Sequence, residues 1–341
     1  MYKTKMAENN IVSLQWIPIV VVLVTLSIVV WVYTQQLVPL THEHFSDASS
    51  STTIPTDNEL KKNFERYALK RQSTAIYDKY YVALYVKLFD EYKQKLVIYE
   101  INDLIRHTRL REYGSRAIIA DLGCGTGTHL RHIANRKIKA KLIGIEVSRN
   151  MLQKASESLR TYTPTVRLLE TSFDNPASLG NAQCTHITCY YFSIYYSSDY
   201  KQLLQNVFDW LADGGYFCVH LVDVNKFDPV LDAANPFIGI SLQAYMPKRK
   251  KESVVILDDC LYKSNFTYHP RKGIAYFKEH IIFEKERKYR EHVHKLIMPS
   301  HNRIIEDARR IGFKLRNVSP LYNLGYEYQY LCYLQKSVRK K

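Results

Sequence analysis

The sequence predicts an α/β protein built on an open sheet, with an antiparallel β layer inserted late in the chain and an apolar segment ahead of it all. Three observations predict this. Residues 117–120 form a short apolar run that ends at Asp121, passes through glycines at 123, 125 and 127, and enters a helix-forming stretch from Thr128 to Asn135. Strand, glycine loop, helix is the nucleoside- or phosphate-binding turn of an open α/β sheet. Strand-length apolar runs then alternate with helical patterns as far as Val222, the rhythm of strands joined by crossover helices. Finally, residues 253–298 hold successive strand-like runs separated by turns.

The glycine loop narrows the ligand. Glycines let the backbone and its N–H groups come close to a bound molecule where a Cβ would collide. A dinucleotide fingerprint would carry a glycine where Thr128 stands. It would also bring a pyrophosphate against Asp121, which repels it. A carboxylate here suits a cation. The segment Asp-Leu-Gly-Cys-Gly-Thr-Gly, 121–127, resembles motif I of class I methyltransferases that use S-adenosylmethionine (SAM). SAM carries an ammonium and a sulfonium and no phosphate. The resemblance implies SAM as methyl donor and no metal. It implies a Rossmann-like seven-stranded sheet, from which the strand-like runs at 253–298 depart as an antiparallel β lid inserted after the fifth strand. It places donor contacts at Asp121, Gly123, Cys124, Gly125 and Gly127.

From the N-terminus, residues 1–10 read as a tail and 11–34 as a transmembrane helix. Ile11 to Tyr33 carries no charge and is mostly Val, Ile and Leu, long enough to span a bilayer. Trp16, Trp31 and Tyr33 sit near its ends, where aromatic belts lie. A cleaved signal peptide is the competing reading, but no small-x-small site follows the run. Lys3 and Lys5 precede the span and 35–59 holds no Lys or Arg, which places the domain across the membrane. The cytosolic origin of SAM and the absence of a disulfide pattern point the other way, so the side stays open. Residues 35–58, rich in Ser, Thr, Asp and His, form a flexible linker, and 59–341 form the methyltransferase domain.

Within the domain, 60–67 and 77–109 read as helices without Gly or Pro. Tyr77-Asp78-Lys79-Tyr80-Tyr81 resembles the "Tyr-Asp-x-x-Tyr" helix that covers the donor in small class I methyltransferases, which implies a lid role for Tyr77 or Tyr81. Residues 141–146 are the second strand, ending in Glu146 at the distance expected of a carboxylate on ribose hydroxyls. By resemblance to the family's second motif, Val147 packs on adenine. Residues 166–170 are the third strand. The family's adenine-edge contact then falls on Ser172 and Phe173, where an Asp is more usual; a backbone carbonyl or Asp174 is the substitute.

Residues 185–192 read as the fourth strand, opening into Tyr190, Tyr191, Tyr195 and Tyr196. Ligands sit beyond the carboxyl ends of such strands. An aromatic wall there excludes water and holds a cation by its ring faces, making Tyr190, Tyr191 and Tyr195 the candidate catalytic residues, with Tyr190 also against the donor. His129 and His220 are further candidates for a base. Residues 200–211 are a helix stopped at 212–215, and 216–222 are the fifth strand. Residues 223–298 are the inserted lid and substrate region. Residues 300–311 are the last helix, and 312–318 with 327–334 close the sheet as a hairpin.

The net charge of +15 and pI near 9.3 suit nucleic acid, anionic lipid or an acidic partner alike. Six cysteines show no C-x-x-C pair and no metal spacing. Three functions stay in view. The first is a membrane-anchored methyltransferase, held to the lipid bilayer by its N-terminal helix, acting on a small or lipid-like acceptor. The second is an RNA methyltransferase, because Cys189 to Ser197 is similar to the aromatic segment of mRNA cap guanine-N7 methyltransferases. The third is a non-catalytic SAM-fold binding protein. The tyrosine-rich segment at 327–331 resembles methyltransferases of large DNA viruses.

Overall fold

A computed structural model describes residues 68–162, 165–235, 241, 243, 248–283, 285 and 288–338. The expected transmembrane helix at 11–34, the linker at 35–58 and the helix at 60–67 lie outside them. Among the described residues no helix is long and apolar enough to cross a membrane.

The chain opens with strand β1 (Ala68–Gln72). Helix α1 (Lys79–Tyr85) follows, capped by Asp78, whose side chain accepts from the Tyr81 N–H. It runs into a π-helical turn, Val86–Asp90, and only then into α2 (Gln94–His107). The single helix expected over 77–109 is therefore broken. No Gly or Pro marks the break; the wide turn and the corner at 91–93 swing Lys93 inward, under the ring of Tyr191. The short helix α3 (Leu110–Tyr113) leads into the sheet.

The next elements follow the sequence closely: β2 (Ile118–Leu122), α4 (Thr128–Asn135), β3 (Lys141–Glu146), α5 (Arg149–Leu159) and β4 (Val166–Glu170). Strand β5 is Cys184–Cys189 and stops short of the expected 192. Tyr191 takes a left-handed backbone, φ 51°, which turns the chain out of the strand, and residues Ser193–Tyr196 form a 3-10 turn. Helix α6 (Tyr200–Trp210) is capped by Asp199. Strand β6 (Leu211–Val222) begins directly after it, earlier than the expected 216; Leu211 pairs with Cys184 before the register shifts to Tyr216 opposite His186.

Four antiparallel strands come next: β7 (Glu252–Ile256), β8 (Leu261–His269), β9 (Ile274–Phe283) and β10 (Lys288–Ile297). The inserted antiparallel layer is present, with one strand more than expected: β1 pairs in parallel with β10. Helix α7 (His301–Ile311) and the hairpin β11 (Phe313–Leu321) and β12 (Tyr326–Lys336) complete the chain.

There are two sheets. The seven-stranded one has the order β11-β12-β6-β5-β2-β3-β4, and the smaller one β1-β10-β9-β8-β7. In the large sheet β4, β3, β2, β5 and β6 run parallel, and β12 is antiparallel to β6 and β11. Its central strands are buried on both faces, as continuous apolar runs require. One core packs α6 and α7 on one face; α2, α4 and α5 pack on the other. A third core joins α1 to the small sheet. Because β2 and β5 are neighbours and the chain leaves them in opposite directions, a crevice opens at their carboxyl ends, where such sheets bind ligands.

Candidate active site

Asp121, next to last in β2, is almost wholly buried. It accepts a hydrogen bond from Thr188 Oγ1 of β5 at 2.7 Å. Burial pushes its carboxyl up to about 6, against the pull of His129 and Thr188. A carboxylate so placed gains from a cation.

The loop after it differs from the expectation in one respect. The N–H groups of Gly123 and Cys124 both donate to Ile145 O, at 2.8 and 3.0 Å. Gly125 N–H donates to Glu146 Oε2 at 3.2 Å, and Gly127 N–H to Cys124 O at 2.9 Å. These donors are spent inside the protein, so they form no phosphate nest. What Gly125 provides is room: its φ is 54° and a Cβ there would meet nothing within 4 Å, so it faces open cavity. Gly127, φ 78°, is tight instead; a Cβ would lie 2.8 Å from Leu159.

Glu146 accepts from Gly125, and its other oxygen from the N–H groups of Val147 and Ser148 at 2.9 and 2.8 Å. Val147 is half exposed. Ser172 Oγ accepts from the Asp174 N–H. Asp174 is committed to Ser197 and Ser198, which leaves its carboxylate unfit as a substitute adenine contact. Asp121, Gly123, Cys124, Gly125, Glu146, Val147, Ser172, Phe173, Tyr190 and Tyr191 all line one cavity of about 640 Å³, within the usual range for small-molecule sites. Its far wall comes from the small sheet, through Phe266, Phe277 and His294.

A profile described as "Methyltransferase domain" matches residues 119–215, the span from β2 into β6. The chain carries a methyltransferase domain. Among solved structures, the methyltransferase fold is similar to a SAM-dependent methyltransferase from Clostridium acetobutylicum, at 16% identity and TM-score 0.53, over 76% of this chain and 98% of that one. It is similar to CalS10, an amino pentose methyltransferase from Micromonospora echinaspora solved with SAM bound, at 17% identity and TM-score 0.51, over 76% and 98%. It is similar also to the CcbJ methyltransferase from Streptomyces caelestis, at 14% identity and TM-score 0.50, over 64% and 83%. No curated protein matches the sequence.

The methyltransferase's aromatic segment is sorted by its turn. Tyr190 is buried and stacks on His129, centroids 4.4 Å apart. Tyr191 covers Lys93, whose Nζ lies 3.6 Å from the ring centre; burial lowers that amine to about 8. Tyr195 does not reach the cavity. Its hydroxyl accepts from the Val222 N–H at 2.9 Å in the core, which corrects its expected catalytic place, and Tyr196 lines the cavity instead. The two histidines expected as bases flank Glu100: His129 Nε2 lies 2.7 Å from it, and His220 Nδ1 3.4 Å, an ion-pair distance rather than a formed hydrogen bond. Tyr77 lines the cavity, and its carbonyl accepts from Asn150 Nδ2. Sequence reasoning missed Lys93, Glu100 and His294, and placed Tyr196 in the aromatic wall without singling it out as catalytic.

Proposed function

We propose that this methyltransferase moves the methyl group of SAM to a small molecule held in the cavity between the two sheets. The observation that carries it is the cavity itself. One wall holds the donor-type residues Asp121, Glu146 and Val147, and the opposite wall is aromatic and comes from the small sheet. A donor lying on the first wall leaves its methyl facing the second. In this reading Asp121 takes the ammonium, Glu146 the ribose hydroxyls, Val147 and Phe173 the adenine, with Ser172 at its edge. CalS10 acts on an amino pentose, an acceptor of the size proposed here.

Methyl transfer from a sulfonium is an in-line displacement with a good leaving group. The protein then supplies mainly proximity and alignment, and the rings of Tyr190, Tyr191 and Tyr196 exclude water. An enclosed acceptor favours a small molecule over RNA. So does Arg249 of the basic stretch, which donates to the carbonyls of Val224, Asn225 and Phe227 and is tied to its own chain. The apolar residues 11–34 support membrane anchoring and keep a lipid-like acceptor in view.

The test is direct. Isothermal titration of the full chain with SAM, S-adenosylhomocysteine and NAD is paired with methyl transfer from labelled SAM into cell extract. Binding of the first two and label in the small-molecule fraction are expected. Comparable affinity for NAD overturns the donor assignment. Label confined to RNA overturns the acceptor class, and SAM binding without transfer leaves a non-catalytic binding protein.

A further inference from the structure

We infer that Tyr196, His294 and Glu279 form a proton relay for the methyl acceptor, so that the acceptor is a hydroxyl or a protonated amine rather than a group already able to attack. This rests on the function proposed above. Glu279, on β9, is fully buried. Its carboxylate accepts from Tyr81 at 2.8 Å, Tyr262 at 2.6 Å, His292 Nδ1 at 3.2 Å and His294 Nε2 at 2.9 Å. Burial raises its pKa, but the neighbouring His294 and His292 outweigh that and hold it well below the ordinary carboxylate range. It is an anion, and an anion only accepts.

That fixes the direction of everything attached to it. His294 Nε2 must carry the proton given to Glu279. In the tautomer the relay uses, Nδ1 is the acceptor and Tyr196 O–H donates to it at 2.9 Å. A network serving stability alone would close on itself. This one opens: Tyr196 is 43% exposed, and Tyr196 and His294 both line the cavity, as does Tyr77 just ahead of α1. The titratable groups facing His294 are Tyr77 just ahead of α1, Tyr81 of α1, Glu279 of β9, His292 of its own strand, and Tyr196. Among the described residues no three His, Cys, Asp or Glu side chains are arranged to hold a metal ion, so this is not a metal cluster.

The step balances. A hydroxyl's oxygen lone pair forms the bond to the methyl carbon; a protonated amine first gives up a proton along the relay, and the lone pair so freed forms that bond. The S–CH₃ bond breaks with its electron pair passing to sulfur, which becomes a neutral thioether. The acceptor's proton passes to the Tyr196 oxygen as the Tyr196 proton passes to His294 Nδ1. The resulting imidazolium is paired with Glu279, as the third member of a triad stabilises its histidine. The proton returns to water by the same path when product leaves. Burial keeps the phenol a poor acid, so Tyr196 conducts the proton and does not wait as a phenolate. Tyr196 is the catalytic residue; His294 and Glu279 act through it.

The test uses the full chain, labelled SAM and the small-molecule fraction of cell extract as acceptor, with rates followed across pH. Tyr196→Phe removes one oxygen and keeps the ring. His294→Gln removes the relay's acceptor. Both should lower kcat at neutral pH by roughly a hundredfold or more, with the Kd for SAM held within about threefold, a change too small to account for the lost rate. The loss should shrink at alkaline pH, where solvent takes the acceptor's proton. Transfer by the wild type with Tyr196→Phe undiminished overturns the relay alone, as does a loss equal at every pH, the mark of a purely structural role. No SAM binding and no transfer by the wild type overturns the proposed function, and the relay with it.

Discussion

The backbone N–H of Gly125 points at the carboxylate of Glu146, 3.2 Å away. The glycine loop is thus fastened to the residue proposed to bind ribose. Glu146→Ala removes the ribose acceptor and frees three backbone N–H groups at once. Bonds to a charged group contribute about 1.5–3 kcal/mol each, so the Kd for SAM should rise roughly ten- to a few-hundredfold. Glu146→Gln keeps one acceptor oxygen and should lose less. Titration calorimetry measures both, and wild-type affinity in Glu146→Ala would remove the ribose role.

Donor affinity should depend on pH through Asp121. Burial raises its carboxyl to about 6, so below that value it is neutral and offers nothing to an ammonium. The Kd for SAM should be level above about pH 6 and rise about tenfold per pH unit below it. Asp121→Asn should bind weakly and with a flat profile. For folding the sign is reversed: with the folded value above the ordinary 3.8, this group's contribution is favourable at low pH and is lost as pH rises through about 6.

Two loop glycines should fail differently. Gly125→Val adds bulk where the protein itself offers no contact, so SAM binding should vanish while thermal stability changes little beyond the cost of its positive φ. Gly127→Ala drives a methyl into Leu159 from a left-handed backbone. It should cost about 1–2 kcal/mol for the backbone and about 1–3 kcal/mol for overpacking. Denaturation in urea, compared with calorimetry, separates the two.

Glu100 should shape the acid limb of stability. Burial raises its pKa, but the bond from His129 and the contact with His220 outweigh that and bring it from 4.5 to about 2. Its contribution, on the order of 3 kcal/mol, is complete above 4.5 and is lost as pH falls toward about 2. Seen from its other end, the interaction raises His129 against the opposing effect of burial. That share is complete below the ordinary 6.5 and fades as pH rises through the folded value. Glu100→Gln should flatten the Tm profile in both windows.

The apolar stretch at 11–34 predicts that full-length protein stays in the membrane pellet through carbonate washing, and that a chain starting at Gln35 is released. A mature N-terminus found by mass spectrometry just after Tyr33 would replace the anchor with a cleaved signal.

The donor half was legible because it is local. In β2, the loop and α4, one short stretch holds strand, turn and helix, and Glu146 follows at a fixed distance along the chain. The other half depends on pairs far apart in sequence. Glu279 meets Tyr81 across 198 positions, and no period announces such a pair. A fainter signal was present. Glu100 falls on the same buried face of α2 as Leu96, Val97 and Leu104. Glu279 sits between the inward positions of Phe277 and Ile281 on β9. A charge at an apolar position requires partners, and that alone flags both residues. Strand β1 gave no warning, because its partner β10 lies more than two hundred residues away. Tyr195 was misplaced because a strand alternates its side chains, whereas the turn at Tyr191 resets which tyrosine faces inward.

Helix α1 is fastened at both ends. Asp78 at its head is paired with Arg290 of the small sheet at 2.9 Å, and Asp90, beyond its tail, accepts from Thr126 in the glycine loop. Between them, Tyr81 is bonded to Glu279. Donor and acceptor sides of the cavity therefore share one wall, and their binding free energies should be coupled through it. Whatever factor the acceptor applies to the affinity for SAM, SAM applies to the affinity for the acceptor. Through Asp90 and Thr126, an acceptor that strains α1 should also change how long the spent donor stays.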